Sequence, residues 1–147
     1  MRGAKWWRWL SGAALVVAVG AGAGAVSGAT KGPHIVVVPS TALHKGQMVT
    51  VRGAGFKPKD TVFIVQCMAS AKGQGQCDTN NPIAVTITAR GLLPATKVRV
   101  VTGKIGTGKG SGFCGTTVKN LKDCAISVGN ISGRDTASAI ITFARPK

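Results

Sequence analysis

An all-β fold is what this sequence predicts, an antiparallel seven-stranded β-sandwich of immunoglobulin-like size, and three observations predict it. Short apolar segments alternate with polar residues at a period of two between residues 35 and 143, the pattern of strands with one buried face. Glycine, proline and asparagine clusters punctuate these segments at regular spacing, as turns do in sandwiches. Beyond residue 30 no window of about 11 residues carries a helical period, and no internal repeat is present. At 147 residues with 44% apolar content the chain suits one domain and has too few charges to be disordered throughout.

The first 29 residues stand apart. Arg2, Lys5 and Arg8 precede a glycine-rich apolar run from Leu10 to Val26, and small residues follow at Ser27-Gly28-Ala29. That is the order of a secretory signal peptide, and the run is short for a bilayer span of about 20 residues. Residues 1–29 are therefore expected to direct export and be cleaved, leaving a secreted domain over 30–147; uncleaved, they would anchor the protein at the membrane. Cleavage would lower the formal charge from +15 to +12 by removing three basic residues. It would also remove Trp6, Trp7 and Trp9, the only tryptophans in a chain without tyrosine. Four phenylalanines, Phe56, Phe63, Phe113 and Phe143, would then be the whole aromatic stock, which is little for stacking on bases or flat ligands.

In order, Ile35 to Val38 reads as a strand closed by Pro39, and Ser40 to Gly46 as a polar connection. Val49 and Val51 alternate with Thr50 and Arg52 until Gly53-Ala54-Gly55 breaks the strand. Lys57-Pro58-Lys59-Asp60 supplies a turn, and Thr61 to Cys67 resumes as a strand. The whole predicts a hairpin-like corner between neighbouring strands. Met68 to Pro82 is a long polar loop, after which Val85, Ile87 and Ala89 alternate in one strand and Val98 and Val100 in the next. Gly103 to Gly112 reads as an almost featureless loop. Ile126 with Val128 form a short strand, and Ala137, Ala139, Ile141 and Phe143 a final one.

Four cysteines in a small exported domain predict two disulfides, and three pairings are possible. Cys67 to Cys77 and Cys114 to Cys124 are local loops, each contributing roughly 2 to 3 kcal/mol in the chain-entropy model. The rival Cys67 to Cys124 would copy the inter-sheet bridge of antibody domains, but no tryptophan lies between them to pack on it. The two local loops are the preferred reading. No Cys-x-x-Cys spacing supports a metal site.

Nineteen Lys and Arg face four acids, Asp60, Asp78, Asp123 and Asp135, with no glutamate. Such a balance attracts DNA, anionic lipid or anionic wall polymer, or it keeps a secreted domain soluble. Lys97, Arg99, Lys104 and Lys109 are the residues expected to form a basic strip, on one strand and the adjoining loop. Gly103 to Gly110 approaches the phosphate-loop pattern but fails it: Gly110 stands where a hydroxyl residue would hold Mg²⁺, and no helix follows. His34 and His44 lack a nearby acid, the four acids are dispersed, and no nucleophile elbow is present. A non-enzymatic monomer is expected.

Val38-Pro39-Ser40, Gly46 before a strand, the run Val51-Arg52-Gly53-Ala54-Gly55-Phe56, Val65-Gln66-Cys67, the local cysteine pairs and Ile141-Thr142-Phe143 together resemble the neocarzinostatin and macromomycin family. These are secreted apoproteins that carry enediyne antibiotics, and the resemblance covers nearly all of residues 34–143. It implies a seven-stranded immunoglobulin-like sandwich with two local disulfides and a cleft beside the first. It implies a non-covalently held, DNA-cleaving chromophore and an antibacterial, non-enzymatic role. Carried over position by position, it puts the ligand at Cys67, Ala69, Gly75, Cys77, Ser127 and Gly129. The chain departs from the family in being strongly basic, and in its lining. Ala69 stands where the family can place tryptophan, Pro82 where a phenylalanine is expected, and Ala125, Ser127 and Gly129 are small. A hollow so lined binds a flat polycycle weakly or takes something else.

Overall fold

The computed structural model describes residues 32–147, so the expected signal segment lies outside the described residues. Nine strands follow in order: β1 His34–Val38, β2 Met48–Ala54, β3 Thr61–Met68, β4 Ile83–Thr86, β5 Leu93–Arg99, β6 Gly103–Ile105, β7 Gly112–Cys114, β8 Cys124–Gly129 and β9 Ala137–Ile141. Three sheets result, β1-β2-β5, β4-β3-β8-β9 and the hairpin β6-β7. Every ladder within them is antiparallel. The two larger sheets are the predicted sandwich, and its seven strands are those of the expectation.

Alternation decides what each sheet turns inward. Val37, Val49, Val51, Leu93 and Val98 come from the three-stranded sheet, and Val62, Ile64, Cys124, Ile126, Val128 and Ile141 from the four-stranded one. Each aliphatic side chain so buried is worth about 1.5 to 3 kcal/mol. The intervening residues face out. Shifting any strand by one position would reverse that assignment, which fixes the register.

Four readings of the sequence are corrected here. The Val49 to Cys67 corner is not between neighbouring strands: β2 pairs with β1 and β5, and β3 with β4 and β8. It carries the chain from one sheet to the other. Gly53 makes the crossing possible, because a Cβ there would collide with the His34 carbonyl and lie 2.9 Å from the Phe56 ring, and that ring is the buried plug of the corner. Asp135 accepts the Lys57 N–H at 2.9 Å and holds the turn from the opposite side.

The second correction concerns Ile87, which reaches the core but leaves the ladder after Thr86. Its N–H goes to the Asp60 carbonyl and its own carbonyl takes the Lys59 N–H, so it braces the corner. Thirdly, the connection Ser40 to Gly46 is not wholly polar. Leu43 is 1% exposed and forms a parallel bridge with Phe143. Lastly, the supposed loop Gly103 to Gly112 contains β6 and the start of β7, with Ile105 buried against the core.

Candidate functional site

The outer face of the four-stranded sheet is built by register. Cys67 stands opposite Ala125, Val65 opposite Ser127, and Phe63 opposite Gly129. On the far side Ser127 pairs with Ser138, their hydroxyls 3.2 Å apart, and Ala125 pairs with Ile140. The face therefore carries the small residues Ala125, Ser127, Gly129 and Ser138 beside Val65 and Ile140, with one aromatic, Phe63, level with Gly129. At the disulfide end Cys67 and Ala125 are each 1% exposed, while beside Ala125, on the edge strand β9, Ile140 is 62% exposed.

Cys67 is bonded to Cys77, and Cys114 to Cys124, the two local loops preferred from the sequence. The first bridge brings the loop 68–77 against β3, and the Asp78 N–H continues the contact by donating to the Gln66 carbonyl. This loop is in turn stitched to the β6-β7 hairpin. The Gly75 carbonyl accepts the N–H groups of Thr107 and Gly108, and the Gln76 amide donates to the Gly110 carbonyl at 3.2 Å. Gly106 has φ +81°, and a Cβ on it would strike the Gly75 carbonyl and lie 2.8 Å from the Gln76 Cα. Only glycine fits that contact.

Of the six residues expected around a ligand, the structure brings Cys67, Cys77 and Ser127 to one end of the face, with Gly129 one side-chain repeat farther along β8. Ala69 lies beyond the end of β3, exposed, its N–H donated to the Asp123 carbonyl at 2.7 Å. Gly75 is packed on the hairpin, where its Cβ would sit 3.3 Å from the Gly108 Cα. Its lack of a side chain thus serves backbone contact.

Two hollows lie elsewhere. One, of about 370 Å³, opens between β3, β4 and β5 over Ile64, Ile83, Val98 and Val101, with Asp78, Asn81 and Arg99 among its polar walls. The other, of about 380 Å³, lies over Leu43 and Phe143 beside Lys45 and Arg145. None of the six residues lines either.

A residue that the sequence reading used only as part of a motif joins these parts. Gln66 is 5% exposed and points inward. Its amide donates to the Val101 carbonyl at 2.8 Å and accepts the Val101 N–H at 2.9 Å, while its nitrogen also lies 3.4 Å from Cys114 Sγ. A side chain thus acts as a strand partner, tying β3 to the segment that leads into β6. The signal was legible: a lone amide at an inward position after Val62 and Ile64 must find buried partners.

The basic residues divide between two elements. Lys97 and Arg99 lie on the outer face of the three-stranded sheet, where Lys97 donates to Thr50 Oγ1 at 2.8 Å and Arg99 to the Gly46 carbonyl at 3.1 Å. Lys104 is on β6 and Lys109 on the hairpin turn, both exposed. The titration of Asp60 is displaced by its neighbours. The Asn130 amide at 2.8 Å, opposed by partial desolvation and helped by the Thr61 N–H and the Lys57 charge, holds its carboxyl below the ordinary value. Among the described residues no group of three His, Cys, Asp or Glu is placed to hold a metal ion, and no helix is long and apolar enough to cross a membrane.

Residues 35–143 match the model of the neocarzinostatin family. The chain belongs to that family. As a neocarzinostatin-family protein it is similar to the solved structure of macromomycin, at 29% identity and a TM-score of 0.59 over 76% of this chain and 99% of that one. It is also similar to apokedarcidin in solution, at 28% identity and a TM-score of 0.53 over 77% of this chain and 99% of the other. No curated protein matches it. The shared span includes both disulfides, the Gln66 tie and the β6-β7 hairpin, so the neocarzinostatin-family scaffold is present from the first strand to the last.

Proposed function

We propose that this protein is an exported, non-enzymatic carrier that holds a small apolar ligand on the outer face of the four-stranded sheet, beside the Cys67–Cys77 bridge. Membership of the neocarzinostatin family carries the reading, and the common face of Cys67, Ser127 and Gly129 supports it. The floor decides the class of ligand. With Ser127, Gly129 and Ser138 on it beside Val65 and Ile140, and a single phenylalanine, the face favours a compact aliphatic or monocyclic group over a broad polycycle. An enediyne chromophore, an antibacterial role and DNA as the target of a released ligand belong to the same proposal.

The absorption spectrum of protein secreted by its native host tests it. Residues 32–147 contain no tryptophan or tyrosine, so a near-ultraviolet band that organic solvent extracts belongs to cargo. A Ser127→Phe variant should lose that band while keeping its fold. An organic extract of the native protein in which mass spectrometry finds no small molecule would overturn the reading.

A second reading is favoured by a different observation. Arg52, Lys97 and Arg99 share one sheet face that holds none of the four acids. Adhesion to a polyanion, without cargo, would use that face. It would show as salt-reversible retention on heparin.

A further inference from the structure

The outer face of the β1-β2-β5 sheet has an arrangement that net charge alone does not describe. Val36 pairs with Arg52 and Val38 with Thr50; on the other side of β2, Thr50 pairs with Lys97 and Met48 with Arg99. One edge of the face is therefore aliphatic and the other cationic. Val36, Val38 and Met48 are 44%, 53% and 42% exposed, three neighbouring apolar side chains where isolated ones would be ordinary. Lys97 and Arg99 are held on the face by their bonds to Thr50 and Gly46. The four acids all lie outside these strands, at the corner, after Cys77 and ahead of β8 and β9.

We propose that this face docks on an anionic lipid bilayer, with Arg52, Lys97 and Arg99 at the headgroups and Val36, Val38 and Met48 seated in the interface. The inference deepens the adhesion reading and rests on it. Three chemistries compete for such a face, and its composition separates them. A second copy of the chain would set three cations against three across a twofold axis, which repels. Nucleic acid would satisfy the cations, but the face has no aromatic side chain for a base, and phosphate gives exposed valines nothing. A lipid interface accepts both kinds of residue at once, since binding there grows with buried apolar area and with attraction to anionic headgroups.

The test is sedimentation with vesicles of phosphatidylcholine alone and of phosphatidylcholine mixed equally with phosphatidylglycerol, run beside heparin chromatography. Comparing variants cancels any contribution of residues 1–31. The protein should sediment with the anionic vesicles and stay in solution with the neutral ones. The triple variant R52Q/K97Q/R99Q should lose roughly a hundredfold in partition coefficient, about fivefold per cation. V36T/V38T/M48Q should lose about tenfold in lipid binding and elute from heparin unchanged. K119Q/K122Q/R134Q removes the same charge from exposed sites off the face and should bind lipid within about twofold of the parent.

Circular dichroism confirms that each variant is folded. The lipid proposal falls if V36T/V38T/M48Q binds vesicles like the parent while heparin retention persists, a result that leaves polyanion adhesion standing. It also falls if the off-face triple variant loses as much as R52Q/K97Q/R99Q. Absence of binding to both vesicles and heparin overturns the adhesion reading itself.

Discussion

Replacing Gln66 should destabilise the sandwich and release the hairpin that walls the candidate site. The side chain makes two hydrogen bonds to one residue, 2.8 Å to the Val101 carbonyl and 2.9 Å from its N–H. Each is worth about 1 kcal/mol net, and leaving half-buried backbone groups without partners adds part of a further penalty of about 1 to 3 kcal/mol. Gln66→Leu preserves volume and removes only the polar tie, so its cost should be about 2 to 4 kcal/mol, a large share of the roughly 5 to 15 kcal/mol typical of a domain. Urea unfolding followed by far-ultraviolet circular dichroism measures it, because residues 32–147 have no tryptophan to report. The midpoint should fall at unchanged slope.

Gln66→Glu gives the sharper result. An ionised carboxylate can accept the Val101 N–H, but its other oxygen meets the Val101 carbonyl, so burial and repulsion raise its folded pKa above the ordinary value of about 4.3. The protonated acid donates to that carbonyl as the amide does. Stability of this variant should accordingly be fullest below the unfolded pKa and decline as pH rises through the folded one. Hydrogen exchange should show the amides of Thr107 and Gly108 opening faster in both variants. A Gln66→Leu protein within about 0.5 kcal/mol of the parent, the range of an unremarkable surface change, would refute the tie.

Two further perturbations follow from the same geometry. Gly106→Ala drives a Cβ into the Gly75 carbonyl at a left-handed backbone position; it should cost about 1 to 3 kcal/mol and raise exchange at Thr107 and Gly108 with little effect on amides of β8, as amide exchange would show. Asn130→Ala removes the first cause of the lowered Asp60 pKa, so carboxyl NMR should find that group titrating higher. In the parent, Asp60 stabilises the fold fully above the ordinary carboxylate range and loses that contribution as pH falls through its depressed value; the variant should lose this part of the acid dependence.

The sandwich was legible because alternation is a local property. Val49 and Val51, or Ile126 and Val128, declare a buried face within five residues, and the antiparallel sheets follow from short strands and frequent turns. Pairing partners are not local. Gly53-Ala54-Gly55 announces a break, yet whether the chain then folds back or crosses to another sheet depends on Phe56 filling the corner and on Asp135 and Ile87 bracing it from far along the chain. The β6-β7 hairpin escaped notice for a related reason. Its strands have three residues each, too few for a period, and it is held largely by backbone bonds to the disulfide loop and by Ile105. Of the candidate site, the β3-β8 register puts Cys67, Ser127 and Gly129 on one face, whereas Gly75 takes its place from the hairpin it touches.

The two outer faces of a sandwich point away from one another, and this bears on what the chain has kept and changed within its family. The floor beside Cys67 belongs to the four-stranded sheet; Arg52, Lys97 and Arg99 belong to the three-stranded one. Between them lies a core of aliphatic side chains. Enlarging Ser127 therefore leaves the cationic face untouched, and neutralising Arg52, Lys97 and Arg99 leaves the floor intact, so the proposed cargo binding and the proposed adhesion separate by substitution. The physical arrangement also lets both occur in one molecule: docking through the basic sheet presents the small-residue floor outward, on the side away from the surface that holds it. A protein that lost its extractable band in Ser127→Phe but kept its vesicle binding, and the reverse in R52Q/K97Q/R99Q, would establish two independent functions on opposite sheets.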